Sequence, residues 1–300
     1  MSFLYSIKYG NVAIVMVDGG LASQVFKFAF GEWLATRLDC PVYYDVSWFK
    51  RHGRDIRNEE DRPFSIMEVF PTVSFHEPNQ NMLKNLRKFC PFSKSKPHIK
   101  LEATELESPR YYDGYYAHAG YFQEQEERLR SFLVFSDKIK NSSRCELFSG
   151  KIKKSVNPVA VHVRRGDFVA SVHDVIKVEY FENAIRHLKD IEGNGNELEL
   201  FFFTNDASYV EQVIAPRFSG ENNCVIISGT SATGGEDMYL MSLCKSFVIS
   251  NSGFSWVASW LCENKAKHIC IPYKWFAVEN ELTEDSETAF SYPGTARIVF

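Results

Sequence analysis

The sequence predicts an α/β protein in which two Rossmann-like halves face a cleft. Two features support this prediction. Short apolar segments of strand length alternate with segments of helical periodicity, and this series occurs twice, before and after a less regular middle region. Alternating strands and helices build parallel sheets, and each series is long enough for one domain. We therefore expect Rossmann-like domains at residues 1–145 and 146–300.

The first series opens with an apolar strand at Val12–Val17 and a turn at Asp18–Gly20. Apolar residues then recur with helical spacing over Leu21–Leu38, and a second strand is predicted at residues 41–46. This order is that of a strand–helix–strand unit, which places its two strands in parallel.

The middle region is less regular. Residues 50–62 are highly charged, which is typical of an exposed loop, and residues 76–110 mix short helical pieces with prolines. The segment Tyr111–Phe122 is rich in aromatic residues, and Gln123–Phe135 has helical spacing. The stretch at 136–158 is polar with an amphipathic helical core, and it is the predicted connection between the domains.

The second series alternates five strands with four helices. The predicted strands are Val159–Val163, Leu198–Phe203, Asn223–Ile227, Ser246–Ser250 and His268–Ile271, and the predicted helices are Val178–Leu188, Ala207–Val213, Asp237–Cys244 and Ser255–Cys262.

Composition excludes several classes of protein. The chain has 300 residues, of which 45% are hydrophobic and 24% charged, as in soluble globular proteins. A net charge of -4 gives no bulk attraction to nucleic acid. No apolar run approaches the roughly 18 residues of a membrane span, and a secretory signal is not evident. The seven scattered cysteines lack a CxxC pair, so we expect free thiols, a cytoplasmic location and no metal site.

The most informative segment is the strand at 159–163 and the residues that follow it. The strand ends in Arg164 and Arg165, and then Gly166 and Asp167. Two adjacent cations at a strand end are either solvated or hold an anion, and guanidinium groups bind phosphate oxygens in bidentate fashion. A phosphate-bearing ligand is the first hypothesis, and a solvated turn is the alternative. His162, which precedes them, is by default a core histidine.

Four strand ends stop in polar or glycine-containing turns, which lie on one edge of a parallel sheet. They are Asp18–Gln24, Arg164–Asp167, Thr204–Asp206 and Ser250–Ser255. Any one turn is ordinary turn chemistry, but together they could converge on one ligand. The serine turn precedes a helix, so it forms either an anion site or a simple cap. The glycine pair falls short of the GxGxxG fingerprint, which argues against NAD.

Several further side chains have two interpretations. Asp167, Asp206 and Asp237 either stabilise a helix start or accept hydrogen bonds from a ligand. His173 and Asp174 could act in acid–base chemistry or face water. The patterns of serine hydrolases, zinc proteases and P-loop proteins are missing from the sequence.

Six motifs, in order, resemble those of the bacterial α-1,2-fucosyltransferase family, which includes the vertebrate blood-group H enzymes. The resemblance covers about residues 12–276. The motifs are Gly19–Phe26, Gly120–Gln123, His162–Phe168, Asp237–Cys244, Ser250–Trp256 and Pro272–Trp275.

This resemblance implies an inverting, metal-independent, GT-B-like glycosyltransferase that uses GDP-L-fucose and needs no cofactor. The N-terminal domain would bind the acceptor, and the C-terminal domain the GDP-sugar. Arg165 would bind the diphosphate with support from Arg164, and His162 and Asp237 would contact guanine. The remaining predicted donor contacts are Gly19, Gly20 and Gln24 near the sugar, Ser250, Ser252 and Ser255 at phosphate oxygens, and Asp206 and Asn251 in the same turns.

The chain departs from the family pattern at two places. Ala22 and Ser23 stand where the family usually has Gly-Asn, and Val257 and Ser259 replace a Trp and a Gly. The first change lies in the loop expected to face the transferred sugar. GDP-colitose, whose sugar lacks a hydroxyl, is therefore an alternative donor.

The predicted reaction is a single in-line displacement at the anomeric carbon. Asp167 is the first candidate for the base, His173 and Asp174 come next, and Arg165 alone could suffice by stabilising the departing diphosphate. The expected acceptor is a galactose-type hydroxyl of an O-antigen oligosaccharide or lipid-linked glycan, joined by an α-1,2 linkage. The rings of Tyr111–Phe122 could stack on sugars, although core burial is the more ordinary role.

Two rival functions and one further partner remain open at this point. The chain could bind GDP-sugars or glycans without catalysis, which the altered loop at Ala22 and Ser23 motivates. A nucleotide-sugar-modifying enzyme would need a nicotinamide site, which the sequence does not favour. Basic residues in 50–62 and 84–100 could bring the protein to the inner membrane surface, although acidic residues oppose this in the first segment.

Overall fold

A computed structural model describes residues 10–51, 61–89, 93–94, 99–169, 171, 173–192, 197–220, 222–227, 234–277 and 289–298. Within these residues the chain forms two compact units, Met1–Val134 with Glu284–Phe290, and Phe135–Thr283 with Ser291–Phe300. Each unit is a parallel sheet with helices, which confirms the predicted α/β class.

The units divide at residues 134 and 135, whereas the sequence placed the boundary at 145 and 146. The segment interpreted as a connection is folded into the second unit. It forms two helices, Asp137–Lys140 and Ser143–Lys154, and Arg144 in the second of them is tied to Asp237. The segment is polar because its two helices bury few residues, among them Ile139, Cys145 and Ile152. This polarity led to the prediction of a connection between domains.

The first unit contains a four-stranded sheet in the order β2-β1-β4-β3, with every pair parallel. In chain order its elements are β1 (Ala13–Met16), α1 (Leu21–Leu38), β2 (Val42–Asp45), α2 (Ser47–Arg51), α3 (Ile66–Val69), α4 (Gln80–Phe89), β3 (Ser93–Lys94), β4 (Arg110–Asp113), α5 (Ala119–Gln123) and α6 (Glu126–Phe132).

Helix α1 has the predicted bounds and is buried on nearly every side over its first three turns. Its rings pack on the aromatic segment that follows β4. Phe30 stacks on Tyr116 with 3.7 Å between the ring centroids, and Tyr121 packs edge-on against both Phe30 and Trp33. Core burial is therefore the role of most aromatic residues between 111 and 122, although Tyr115 is exposed.

The second unit contains a six-stranded parallel sheet in the order β10-β9-β8-β5-β6-β7. Its elements are α7 (Asp137–Lys140), α8 (Ser143–Lys154), β5 (Pro158–Val163), α9 (Val178–Glu192), β6 (Glu199–Thr204), α10 (Ala207–Tyr209), β7 (Asn223–Ile226), α11 (Gly234–Ser242), β8 (Ser246–Val248), α12 (Gly253–Leu261), β9 (Ile269–Pro272) and β10 (Thr295–Ile298).

Counted from β5, this order is 3-2-1-4-5-6, the strand order of a Rossmann fold. The chain moves outward from β5 in one direction through β6 and β7, and then returns to β8 on the other side. The carboxyl ends of β5 and β8 therefore form a topological switch point, the place where ligands bind in open α/β sheets.

Several local features differ from the sequence prediction. Strands β3, β4 and β10 were not predicted, and α11 and α12 begin three and two residues early, at Gly234 and Gly253. The helix over 207–213 continues from α10 into a π-helical turn at Val210–Ile214. None of the described helices combines the length and apolar character needed to cross a bilayer.

Gly31 is required by the packing of α1 on β2. A Cβ added at Gly31 would lie 2.7 Å from carbons of the Tyr44 ring. That ring is only 2% exposed and packs on Phe75 with 4.2 Å between the centroids, so it has little room to move.

We therefore expect Gly31→Ala to lower the free energy of unfolding by about 1–3 kcal/mol, measured by urea denaturation. Gly150→Ala in α8 is the matched control, because an added Cβ there has no neighbour within 4 Å. The control should be neutral or stabilising by up to about 1 kcal/mol, since alanine favours helix. Equal stability of the two variants would contradict this account of the packing.

Candidate functional site

The switch point of the second sheet is built around a buried histidine. His162 lies near the end of β5 and is 5% exposed. Its Nδ1 lies 2.8 Å from the hydroxyl oxygens of both Ser250 and Ser255. Ser250 follows β8, and Ser255 lies in the first turn of α12, so one imidazole nitrogen joins the two strand ends and the helix.

His162 is uncharged at neutral pH. Burial, with a further contribution from the nearby Arg164, lowers the pKa of His162 to about 3. The ring therefore acts as a neutral hydrogen-bonding group and adds no positive charge to the site. The default interpretation of a hydrogen-bonded core histidine fits this placement, and its predicted contact with guanine stays a prediction.

The two arginines begin where β5 ends, and neither extends freely into water. The side chain of Arg165 is 29% exposed, its Nε lies 3.3 Å from Oδ2 of Asp206, and its guanidinium carbon lies 3.7 Å from the centroid of the Tyr209 ring. The guanidinium carbon of Arg164 lies 5.6 Å from the centroid of the Phe168 ring. An aromatic face holds a guanidinium group in place without using its N–H donors. These donors lie in the plane of the guanidinium group and can bind other partners.

The backbone at Arg165 is fixed by Asn205, a residue of the next strand end. Asn205 Oδ1 accepts a hydrogen bond from the Arg165 N–H at 2.8 Å. At Gly166, where φ is +27°, an added Cβ would collide with the Asn205 amide. Glycine at this position therefore permits close contact between the turns that follow β5 and β6.

Asp206 combines the two roles that the sequence left open. Its Oδ1 accepts from the N–H of Tyr209 at 3.0 Å and caps α10, while its Oδ2 pairs with Arg165. Among the described contacts of Arg165, this carboxylate engages only the Nε–H. The terminal nitrogens of the guanidinium fork are the groups suited to an anion.

The serine turn after β8 divides into distinct roles. Ser250 and Ser255 are fully buried against His162. Ser252 caps α12, because its hydroxyl accepts from the N–H of Phe254 at 3.3 Å. Asn251 donates through Nδ2 to the carbonyl groups of His173 at 3.0 Å and Trp275 at 2.8 Å, so its amide ties two loops to the switch point.

The three candidates for the base have different surroundings. The His173 ring packs on Phe168 and Phe276, with centroids 4.7 and 5.1 Å away. Asp174 is exposed on the same loop. The side chain of Asp167 lies outside the part of the chain that the structure describes. The assignment of the base among these three stays a prediction.

Asp237 has a partner that the sequence did not reveal. Arg144 of α8 lies 2.5 Å from Asp237 Oδ1 and donates to the carbonyl of Ile227 at 2.9 Å. Burial raises the pKa of Asp237 above its ordinary value, and the attraction of Arg144 opposes this shift. The two residues are 93 positions apart, so no local pattern could have paired them.

The glycine turn belongs to the first unit. Gly19 has a φ of +74°, and Gly20 precedes the first residue of α1. Gln24 is completely buried: Nε2 donates to the carbonyl groups of Gly19 at 3.1 Å and Pro63 at 2.8 Å, and Oε1 accepts from the N–H groups of Ser65 and Ile66 at 3.0 Å. The amide of Gln24 is thus fully engaged within the chain, and its expected position near the sugar stays a prediction.

From the sequence we expect no metal site and free thiols. The described residues contain no group of three or more His, Cys, Asp or Glu side chains that could hold a metal ion. The six cysteines that the structure describes are free thiols, and Cys90 lies outside the described residues.

Comparison with known proteins gives a family and relatives. The model of the family described as Glycosyl transferase family 11 matches residues 74–291. The O-antigen biosynthesis glycosyltransferase WbnK of Escherichia coli is 26% identical over 301 residues, covering 90% of this chain and 97% of the relative. An alpha-1,2-colitosyltransferase of Escherichia coli is 27% identical over 296 residues, covering 90% and 94%.

Solved structures with a similar fold are fucosyltransferases. The fucosyltransferase NodZ from Bradyrhizobium has a TM-score of 0.52 at 16% identity, with 83% of this chain and 92% of that chain covered. FUT1 of Arabidopsis thaliana in complex with GDP has a TM-score of 0.50 at 12% identity, with 91% and 72% covered. These identities are low, so the likeness concerns the fold, which is GT-B-like as the sequence predicted.

The neutral state of His162 predicts how stability depends on pH. Because the pKa of His162 falls from 6.5 to about 3 on folding, the unfolded chain binds more protons in this range. Folding stability supplied by the neutral ring is complete above pH 6.5 and is lost as the pH falls towards about 3.

Between about pH 7 and pH 5, wild type should lose about 2 kcal/mol more unfolding free energy than His162→Asn, in urea titrations. Asparagine keeps a polar atom near the position of Nδ1 but does not titrate. His76→Asn, at an exposed position, is the control and should keep the wild-type slope. Parallel pH dependences for wild type and His162→Asn would refute the assignment.

Proposed function

Because the chain belongs to glycosyl transferase family 11, we propose that this glycosyltransferase moves a 6-deoxy-L-hexose from a GDP-sugar to a hydroxyl of an O-antigen or other surface-polysaccharide glycan. The observation that carries the proposal is the arginine pair at the switch point of a Rossmann sheet, next to a serine turn that begins a helix. Guanidinium groups and helix N–H groups together suit a diphosphate.

The proposed chemistry is one in-line displacement with inversion. The acceptor oxygen forms a bond to the anomeric carbon while the bond from that carbon to the diphosphate oxygen breaks, and the electron pair of the broken bond leaves with GDP. The proton of the acceptor hydroxyl passes to the base, for which Asp167 is the first candidate and His173 and Asp174 come next. Arg165, held on Tyr209, is suited to stabilise the charge that develops on this leaving group, with support from Arg164 and the turn before α12. The tertiary contacts preorganise these donors, so little reorganisation is needed during the reaction.

L-Fucose is the proposed donor sugar, in an α-1,2 linkage. Fucosyltransferases among the neighbouring folds, one of them NodZ soaked with GDP-fucose, support the sugar, and the relative named an alpha-1,2-colitosyltransferase supports the linkage. Colitose is the second candidate, since a relative is a colitosyltransferase and Ala22 and Ser23 replace the usual Gly-Asn. Ser23 lies close to Gly19, whose added Cβ would be 3.1 Å from the serine hydroxyl.

The acceptor and the cellular location are proposed from the same relatives. The name of WbnK supports an oligosaccharide or lipid-linked O-antigen acceptor. Lipid-linked acceptors reside at the cytoplasmic face of the inner membrane, so we propose a cytoplasmic enzyme with peripheral contact there. Lys84 and Lys88 on the exposed side of α4 would favour anionic lipids.

Replacement of Arg165 should have a large effect on the reaction. We expect Arg165→Ala to lower kcat of sugar transfer by about 100-fold or more, because the charge partner of the leaving group is lost. Arg217→Ala removes an equally charged residue from the same unit, where it pairs with Glu182 at the surface, and should leave kcat within about threefold. A folded Arg165→Ala variant with near-normal turnover would remove the central assignment.

The donor is identified by offering GDP-fucose, GDP-colitose and GDP-mannose to the purified protein with candidate glycans and measuring GDP release and product mass. We expect transfer from GDP-fucose, because this is the GDP-sugar with which the fold neighbour NodZ was soaked. A faster reaction with GDP-colitose would identify the second candidate. GDP binding by calorimetry without release from any pair would instead indicate a binding protein.

A further inference from the structure

A charged pair in the first unit has no part in the proposed diphosphate site. Lys27 of α1 is 1% exposed, and its ammonium group contacts Oδ1 of Asp18, in the turn after β1. The Asp18 side chain is itself 33% exposed. A buried ammonium requires a compensating charge, so Lys27 fixes the carboxylate from the core side while part of it stays accessible.

A second aspartate at this sheet edge, Asp45, differs from Asp18 in its burial and in the number of its partners. Asp45 ends β2 and is 2% exposed. It accepts from the Ser47 N–H at 3.0 Å and from the Tyr111 hydroxyl at 2.6 Å, and it pairs with Arg87. Asp45 is thus enclosed by its own partners, whereas Asp18 has one described partner and open surface.

The Gln24 side chain connects the turn that contains Asp18 to the segment at residues 63–66. Its amide bonds Gly19 on one side and Pro63, Ser65 and Ile66 on the other. Arg62 directly precedes this segment, and its guanidinium would be the nearest neighbour, at 3.7 Å, of a Cβ added to Gly20. The side of Gly20 where a Cβ would lie therefore faces Arg62, and Gly20 is two residues from Asp18 in the same turn.

We propose that Asp18, a partly exposed carboxylate in the turn beside Gly20 and Arg62, accepts a hydrogen bond from a sugar hydroxyl. The pair with Lys27 carries no net charge, so the turn suits a neutral ligand better than a cation. Hydroxyl groups donate strongly to an ionised carboxylate, and glycine lets a sugar ring approach the backbone. The inference rests on the proposed function, and the hydroxyl can come from the acceptor glycan or from the sugar of the donor.

The test uses a background without the lysine, because removing Asp18 alone would leave the buried Lys27 charge without a partner. Lys27→Met conserves volume and keeps the carboxylate, and it is the matched reference. Asp18→Ala and Asp18→Asn are then each added to Lys27→Met. KM is measured separately for the GDP-sugar and for the acceptor, together with Kd for GDP, and circular dichroism checks folding.

With Lys27→Met as the reference, whatever its own KM values, adding Asp18→Ala should raise one KM by about a further 10-fold, with Kd for GDP unchanged. Asp18→Asn keeps one acceptor oxygen and should fall between the two. A rise in the acceptor KM identifies the glycan as the ligand, and a rise in the donor KM identifies the transferred sugar.

Failure of this inference and failure of the proposed function give different results. If wild type transfers sugar and the three Lys27→Met variants share the same KM values, Asp18 is only the structural partner of Lys27, and this inference is wrong. If wild type transfers no sugar from any GDP-linked donor, the proposed function fails, and the inference fails with it.

Discussion

In the second unit the neutral imidazole of His162 holds together the strand ends on which the site depends. Its Nδ1 is shared by the hydroxyls of Ser250 and Ser255, which come from the turn after β8 and from α12. A charged ring here would add a third positive group beneath two arginines, at a high desolvation cost. Keeping His162 neutral lets the positive charge of the site reside where an anion can reach it.

The surroundings of Arg165 show how a fold can hold a guanidinium group while several of its donors stay available. Arg165 lies on the Tyr209 ring and meets Asp206 through Nε alone among its described contacts. A bidentate carboxylate partner would occupy the same fork that a phosphate needs. An aromatic face instead fixes the guanidinium group and leaves most of its donors available, which suits a leaving group whose charge grows in the transition state.

In the first unit, two polar side chains of α1 are buried and need hydrogen-bonding or charged partners. Gln24 and Lys27 lie on a helix that is buried on nearly all sides. Lys27 pairs with Asp18 in the turn before the helix, and Gln24 bonds Gly19 of that turn and the segment at 63–66. Their hydrogen bonds fix the geometry of Asp18 and Gly19 far more firmly than the turn residues could by themselves. Leaving either group without partners would cost about 1–3 kcal/mol or more, so the conformation of the turn is coupled to the stability of the unit.

The sequence alone determined the order of the elements, because strand and helix periodicity is a local property of the chain. It predicted α1 to the residue and located β5, β6 and β8 within two residues of their bounds. It also found the turns after these strands, since arginine, serine and glycine at strand ends are visible without any partner.

Only the tertiary structure decided which polar groups meet. Arg144 reaches Asp237 across 93 residues, and Gln24 reaches Ile66 across 42. The unit boundary lies at 134 and 135, because α7 and α8 belong to the second unit. Ile139, Cys145 and Ile152 of these helices are buried, and Arg144 pairs with Asp237. Periodicity identifies what a residue is next to along the chain, whereas charge pairing and burial depend on neighbours that folding alone brings together.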